Sequence, residues 1–338
     1  MTRKHIHGGD IYRHPNVLDF SSNCNPYGMP EGVKKAAAAA IKLAEHYPDV
    51  FCTRLRMALS RAEQVPVEQI LCGNGAADLI FALALAKKPK KALLLAPTFA
   101  EYQQALETVD CEIHYAYLRE EHDFVPGEEI LHQITEDLDM MFFCNPNNPT
   151  GSCVEPSLME QILRLTARRG IWLAVDEAFL AFSGEYGRRS MRRYYKEYEN
   201  LLVLNAFTKL YAMPGLRLGY GVCESREVIR RLLLQLPAWN VSVPAQAAGL
   251  AALKEKKYAE KTAAYVAEER EFLLAGLKKA PGLIRRIYPP MANYIFLESL
   301  PGLDRLLADR GIAVRSCENY RQLRAGDYRI AVRSRREN

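Results

Sequence analysis

The sequence predicts an α/β fold in which helices sandwich a mostly parallel sheet, with a smaller α+β domain assembled from both termini. Two observations predict the large layer: short apolar runs recur through the middle of the chain, and stretches of helical spacing separate them. A third predicts the smaller domain, because both ends depart from that alternation. The expected division is a large domain over 45–240 and a small one over 1–44 and 241–338.

In chain order, residues 30–46 are alanine-rich and read as a helix. "ILCGNG" reads as a strand end whose glycines open the helix beginning "AADLIF". "KALLLAP" (91–97), "MMFFCNP" (140–146), "IWLAVDEA" (171–178) and "NLLVLNAF" (200–207) read as strands. Being apolar on both faces, they fit strands buried on both sides. "SLMEQILRLTARRG" between two of them has helical spacing. Residues 245–280 read as long helices with charged faces, and "ANYIFLES", "GIAVRSC" and "DYRIAVR" as three short strands. The chain ends abruptly at "SRREN", and a closing helix is expected beyond it.

With 338 residues, the chain has room for one large or two ordinary domains. A formal charge of +5 suits small anionic ligands but is too weak to argue for nucleic acid. The arginine pairs in "GRRSMRRYY" read as surface charge. None of the eight cysteines forms a C-x-x-C pair, which argues against a zinc ribbon or a thioredoxin-like motif. No secretory signal opens the chain and no apolar run is long enough to span a bilayer. Reduced thiols in a cytoplasm fit these features.

In an open α/β sheet, ligands sit beyond the carboxyl ends of the strands. Each central run carries its unusual residues at that end: Gly75 after "ILC", Thr98 and Phe99 after "KALLLAP", "NPNNPTG" after "MMFFC", Asp176 after "IWLAV", and Thr208 and Lys209 after "NLLVLNAF". Each also has a plainer reading. Asp176 could cap a helix, "GNG" and "NPNNPTG" could be turns, Phe99 could be core, Arg217 could be solvated, and Lys209 could be a core-edge lysine reaching for water. Their order along the chain is the stronger signal. A helix N-terminus after glycines binds phosphate. A lysine in a dry setting forms a Schiff base with an aldehyde. An aspartate keeps a pyridine nitrogen protonated, and an aromatic ring stacks on the heterocycle. One cofactor suits all four: pyridoxal 5'-phosphate.

The set "GNGAAD", "NPNNPTG", "DEAF" and "TK" followed by "GLRLGY" resembles the fold-type I pyridoxal-phosphate enzymes of the aminotransferase class, from "HGGD" to "RIAVR". The resemblance implies that Lys209 is the Schiff-base lysine and Asp176 the partner of the pyridine nitrogen. It implies that Asn148 bonds the cofactor's 3′-oxygen and Phe99 stacks on the ring. Gly75, Ala76, Ala77, Thr208 and Arg217 would hold the phosphate. Tyr47 of "HYPD" would reach the phosphate in the other subunit, which implies a homodimer with shared active sites.

Within that class, the chain is similar to two groups that act on phosphorylated amines, the histidinol-phosphate aminotransferases and the threonine-phosphate decarboxylases of cobalamin synthesis. "HGGD" resembles the "HGGN" signature of the decarboxylases, with Asp10 departing from it. "VRSCENY" resembles their Arg-x-Cys-x-Asn segment. Phe179 stands where the aminotransferases commonly carry Tyr, and Arg333 where they usually have Gly. The implied substrate contacts are His7, Gly8, Asn23, Asn148, Arg315 and Arg329, and the implied reaction is decarboxylation of O-phospho-L-threonine to 1-aminopropan-2-ol O-phosphate. Arg329 alone could equally be a strand residue facing solvent. An aminotransferase and a phosphoserine decarboxylase are the alternatives; one methyl in a pocket discriminates by only about 1–3 kcal/mol. A catalytically silent regulator is a reading from another class. It usually carries a DNA-binding domain in front, for which the position of His7 leaves no room.

Overall fold

The structure, a computed structural model, describes residues 7–13 and 15–338. A short strand, β1 (Leu18–Asp19), precedes the strands of the central sheet. These are β2 (Ile70–Gly73), β3 (Lys91–Ala96), β4 (Glu112–Tyr117), β5 (Met140–Cys144), β6 (Trp172–Asp176), β7 (Leu201–Ala206) and β8 (Gly219–Val222). Their order across the sheet is β2-β8-β7-β6-β5-β3-β4. The steps from β4 to β7 are parallel, while β8 is antiparallel to both β7 and β2. All strands but β8 therefore end at one edge, and β8 begins there.

Alternate residues of the central strands feed opposite cores, as the two-residue strand period requires. Met141, Phe143, Leu173, Val175, Leu201 and Val203 pack against Leu158, Met159, Ile162 and Leu163 of the helix Pro156–Arg168. Met140, Phe142, Ala174, Leu202 and Leu204 pack on the other face against Leu79, Ile80 and Leu83 of the helix Ala76–Lys87. Burial on both faces is why these runs carry no polar alternation. The four expected apolar runs fold as β3, β5, β6 and β7.

Toward the C-terminus, β9 (Ile284–Ile287), β10 (Tyr294–Ser299), β11 (Ile312–Ala313), β12 (Arg315–Ser316) and β13 (Asp327–Ala331) follow the helices Val243–Ala252 and Tyr258–Leu277. Four of these strands form an antiparallel sheet in the order β12-β13-β10-β9. The N-terminal segment joins it: β1 pairs in parallel with β11, and the Phe20 carbonyl accepts from Ala331 N at 2.8 Å. Both ends of the chain thus meet in the smaller α+β part. The alanine-rich segment is helical over Glu31–Ala40 and lies against the helix Val243–Ala252. Val33, Ala245 and Ala248 join Leu55 and Leu59 there in one buried cluster beside β2 and β8.

Candidate active site

The carboxyl ends of β2, β3, β5, β6 and β7 face one cavity. Ala76, Ala77, Phe99, Asn148, Asp176, Thr208 and Lys209 line it from these ends. Arg217 reaches it from the approach to β8, which starts at the edge where the others stop. His7, Gly8 and Asn23 from the N-terminal segment and Arg315 and Arg329 from the antiparallel sheet close the opposite side.

Lys209 lies on the single-turn helix Phe207–Leu210 that follows β7. The Lys209 carbonyl accepts from Asn25 N at 3.1 Å, which ties this turn to the N-terminal segment. The Nζ lies 5.8 Å from the centroid of the Phe179 ring. Removal from water lowers the amine's pKa; the nearby Cys24 thiol opposes this, and the charges of Arg329 and Arg217 add to it. A lowered pKa supplies the neutral amine that attacks an aldehyde.

Asp176 ends β6 and is 5% exposed. Its Oδ2 accepts from the Tyr102 hydroxyl at 2.9 Å and its Oδ1 from Ala178 N at 3.0 Å. It caps no helix, since the next turn, Leu180–Ser183, begins beyond Phe179. Burial raises its pKa, against the lowering by these two hydrogen bonds and by the charge of Lys209. Among the described residues it forms no ion pair. A buried carboxylate held in place but lacking a cation is suited to a ligand that brings one, such as a protonated pyridine nitrogen.

The end of the cavity at the start of the helix Ala76–Lys87 is a cradle. Gly75 has φ +79° and ψ 168°, a region open essentially to glycine, and precedes the helix Ala76–Lys87. A Cβ on Gly75 would sit 2.5 Å from Arg217 Nη2, and one on Gly219 would sit 2.4 Å from Ala76 N. The missing side chains let the arginine and β8 close on the helix start, whose free N–H groups favour an anion. Arg217 itself is exposed, with φ +57°, and its Nη1 donates to the Pro214 carbonyl at 3.3 Å.

Asn148 is buried, and its Oδ1 accepts from Arg329 Nη1 at 2.5 Å and from the Tyr320 hydroxyl at 3.4 Å. Arginine only donates, so the oxygen of the amide faces Arg329 and the Nδ2 is left for the cavity. Phe99 lines the cavity and meets Tyr102 edge-on at 5.5 Å.

Strand register sets the cationic wall. Arg315 on β12 stands opposite Arg329 on β13, so both side chains leave the same face. Both are buried; Arg329 Nη2 donates to the Ser21 carbonyl at 2.9 Å and Arg315 Nη2 to Asn319 Oδ1 at 2.6 Å. Asn23 is 1% exposed, and neither its Oδ1 nor its Nδ2 meets a partner among the described residues. A buried amide left unsatisfied costs roughly 1–3 kcal/mol, which a polar ligand in the cavity would recover.

The cavity gathers every expected site residue except two. Gly75 acts from behind, through the cradle. Tyr47 lies outside: it is 77% exposed and stacks on Trp239 with ring centroids 4.3 Å apart. Four neighbours of the site went unmarked as site residues in the sequence: Tyr102, Tyr320, Glu101 and Ser21. Tyr102 looks like any apolar helix residue, and only its hydroxyl on Asp176 distinguishes it. A larger hollow lined by Tyr186, Phe207 and Tyr211 contains no lysine or arginine and so lacks what an anionic ligand needs. Taken together, an amine of lowered pKa, a carboxylate without a cation, a glycine cradle and a free amide fit pyridoxal 5'-phosphate.

The family model described as aminotransferase class I and II matches residues 15–338. The threonine-phosphate decarboxylase of Salmonella typhimurium is 38% identical, over 98% of this chain and 93% of its own. The histidinol-phosphate aminotransferase of Methanococcus aeolicus is 27% identical, over 94% of this chain and 85% of its own. Among solved structures, the histidinol-phosphate aminotransferase of Clostridium acetobutylicum superposes with a TM-score of 0.87 at 28% identity, covering 95% of this chain and 96% of its own.

Proposed function

The chain belongs to the aminotransferase class I and II family, and we propose that it is a pyridoxal-phosphate-dependent carboxy-lyase that converts O-phospho-L-threonine to 1-aminopropan-2-ol O-phosphate in cobalamin biosynthesis. The observation that carries this reading is the pairing of Arg315 with Arg329 across β12 and β13, on the wall facing Lys209. A substrate with a carboxylate and a phosphate dianion needs two cationic forks, and two guanidinium groups supply them with a geometry that lysines lack.

Lys209 would hold the cofactor's aldehyde carbon, Asp176 its pyridine nitrogen and Asn148 Nδ2 its 3′-oxygen, with Phe99 against the ring. Gly75, Ala76, Ala77, Thr208 and Arg217 would hold its phosphate. When bound, the cofactor supplies a sink for the electron pair left behind as CO2 departs.

The residues of the chain supply the rest. Asp176 would be held anionic by the protonated pyridine nitrogen and so would keep that sink effective. The arginines and Asn23 would fix the substrate's anionic groups and so would select which bond at the α-carbon breaks. His7 and Gly8 approach the same substrate from the N-terminal segment. Lys209, freed when the substrate's amine takes its place, would receive that amine's proton and, as the ammonium, would deliver it from Nζ to the α-carbon.

A homodimer is part of the reading. Tyr47, Phe51, Ile41 and Leu43 are large apolar side chains left exposed near one another in sequence. Such a cluster suits an interface, through which Tyr47 would reach the phosphate of the second subunit's cofactor. Eight free thiols suit the reducing cytoplasm.

The test is to incubate the holoenzyme with phosphothreonine and to measure CO2 and the amine by mass. Aminopropanol phosphate formed without glutamate on adding 2-oxoglutarate supports the reading. Glutamate formation identifies an aminotransferase instead, and equal turnover of phosphoserine removes the assignment to threonine.

A further inference from the structure

Glu101 lies in the first turn of the helix Ala100–Glu107, two residues beyond Phe99. Its Oε1 is 3.4 Å from His7 Nε2, and its side chain is only 15% exposed. Its Oε2 is buried and finds no hydrogen-bond partner among the described residues. Burial pushes this carboxyl up to about 7, against the charges of Lys209 and Arg217, so a cation against Oε1 is what keeps it ionised near neutral pH.

His7 is held from two sides. A Cβ on Gly8 would sit 2.1 Å from the Ser21 carbonyl oxygen, so the backbone there lies directly on Ser21. Gly9 N donates to Ser21 Oγ at 2.8 Å, and the Ser21 carbonyl accepts from Arg329 Nη2 at 2.9 Å. The imidazole therefore rises from a backbone tied to Arg329, and its Nε2 meets the Glu101 carboxyl on the helix that follows β3. A carboxylate within about 4–6 Å favours the charged form of its neighbour. A charged donor also makes the stronger hydrogen bond to a phosphate oxygen.

Resting on the substrate reading above, we infer that Glu101 is a positioning residue: it holds His7 over the crevice as an imidazolium that donates to the substrate's phosphate. His7 stands between the two anions, so the carboxylate's repulsion of the phosphate is offset.

The experiment uses the holoenzyme and has two arms. In the first, His7 is titrated by NMR in the wild type and in Glu101→Gln. Loss of the carboxylate is expected to lower the His7 pKa by about 1 unit; an unmoved value overturns the inference. In the second, spectral titration gives affinities for phosphothreonine and for unphosphorylated L-threonine. Glu101→Gln is expected to weaken phosphothreonine about tenfold and to leave threonine unchanged, and Glu101→Asp to recover part of the loss. A phosphothreonine-to-threonine ratio that is high in the wild type and preserved in Glu101→Gln sinks this inference alone. A ratio near one in the wild type sinks the substrate reading and this inference with it. In a His7→Gln background, Glu101→Gln is expected to add nothing; a further tenfold loss there means that Glu101 acts without His7 and also overturns the inference.

Discussion

Arg329 Nη1 donates to Asn148 Oδ1 at 2.5 Å, while its Nη2 donates to the Ser21 carbonyl at 2.9 Å. One guanidinium thus joins β13 to the loop after β5 and to the N-terminal segment, and it turns the Asn148 amide so that its nitrogen faces the cavity. Arg329→Lys keeps the charge and loses the fork, since an ammonium on a flexible stem does not span both acceptors. We expect kcat/KM for phosphothreonine to fall about 10²-fold, as for other small losses of alignment. Steady-state kinetics with purified holoenzyme measure it; a fall below threefold would show that charge alone suffices.

Lys209 is expected to be the point of covalent attachment. Borohydride treatment of the wild type should fix one cofactor to the peptide containing Lys209, and mass spectrometry should find it there. Lys209→Ala should lose both the adduct and about 10³-fold or more of kcat, the scale of a lost proton-transfer group. An adduct on another lysine contradicts the assignment.

The cradle at Gly75 predicts a contrast between two glycines. Gly75→Ala puts a Cβ 2.5 Å from Arg217 Nη2 in a backbone region that costs a side chain roughly 1–3 kcal/mol. Cofactor affinity is expected to drop at least tenfold and the melting temperature to fall. Gly276→Ala lies within the helix Tyr258–Leu277, where a Cβ meets nothing within 4 Å. It is expected to stabilise by about 0.4–1 kcal/mol and to leave cofactor binding alone. Thermal melts and cofactor titrations of the two variants separate these outcomes.

What was legible follows from what each residue's neighbours demand. β3, β5, β6 and β7 are buried on both faces and must be apolar throughout, so their runs stand out. β4 is an edge strand whose residues are mostly exposed or half-buried, and its "EIHYAY" carries no such run. β8 reads "GYGV": Gly219 is kept for the close approach to Ala76, which erases its strand signal. β9, "IRRI", is the charged edge of the smaller sheet. At the site, Lys209, Asp176 and Asn148 were legible because each follows a readable strand. Glu101 and Tyr102 were not, because their meaning lies in contacts to His7 and Asp176, distant in sequence. The placing of Arg315 beside Arg329 depends on a pairing register that no local pattern records.

Arg315 carries a prediction about the course of the reaction. The phosphate on the carbon next to the α-carbon is a good leaving group, and elimination would compete with decarboxylation when that C–O bond is free to turn. Arg315, held by Asn319 and by its own strand's Ser316 carbonyl, is placed to fix that phosphate together with His7. Arg315→Ala is expected to raise the ratio of inorganic phosphate to CO2 released, measured in the same reaction mixture. An unchanged ratio rules this role out.

Glu177 predicts a pH dependence of stability. It follows Asp176 and is 1% exposed; Met191 N donates to its Oε1 at 2.6 Å and the Ser190 hydroxyl to its Oε2 at 2.7 Å. Burial dominates these bonds and raises the carboxyl from 4.5 to about 7. The folded chain therefore holds a proton between these values that the unfolded chain has released. Its contribution is complete below pH 4.5 and is lost as the pH rises to about 7, which is opposite in sign to that of a salt-bridged carboxylate. Glutamine keeps an acceptor for Met191 N and offers Ser190 Oγ a donor, imitating the protonated acid without titrating. Glu177→Gln is expected to stabilise the protein at pH 8 by on the order of 1–3 kcal/mol and to change little at pH 4.5. Urea unfolding at the two pH values measures the difference. A variant less stable than the wild type at pH 8 would show instead that the ionised carboxylate is the form the fold requires.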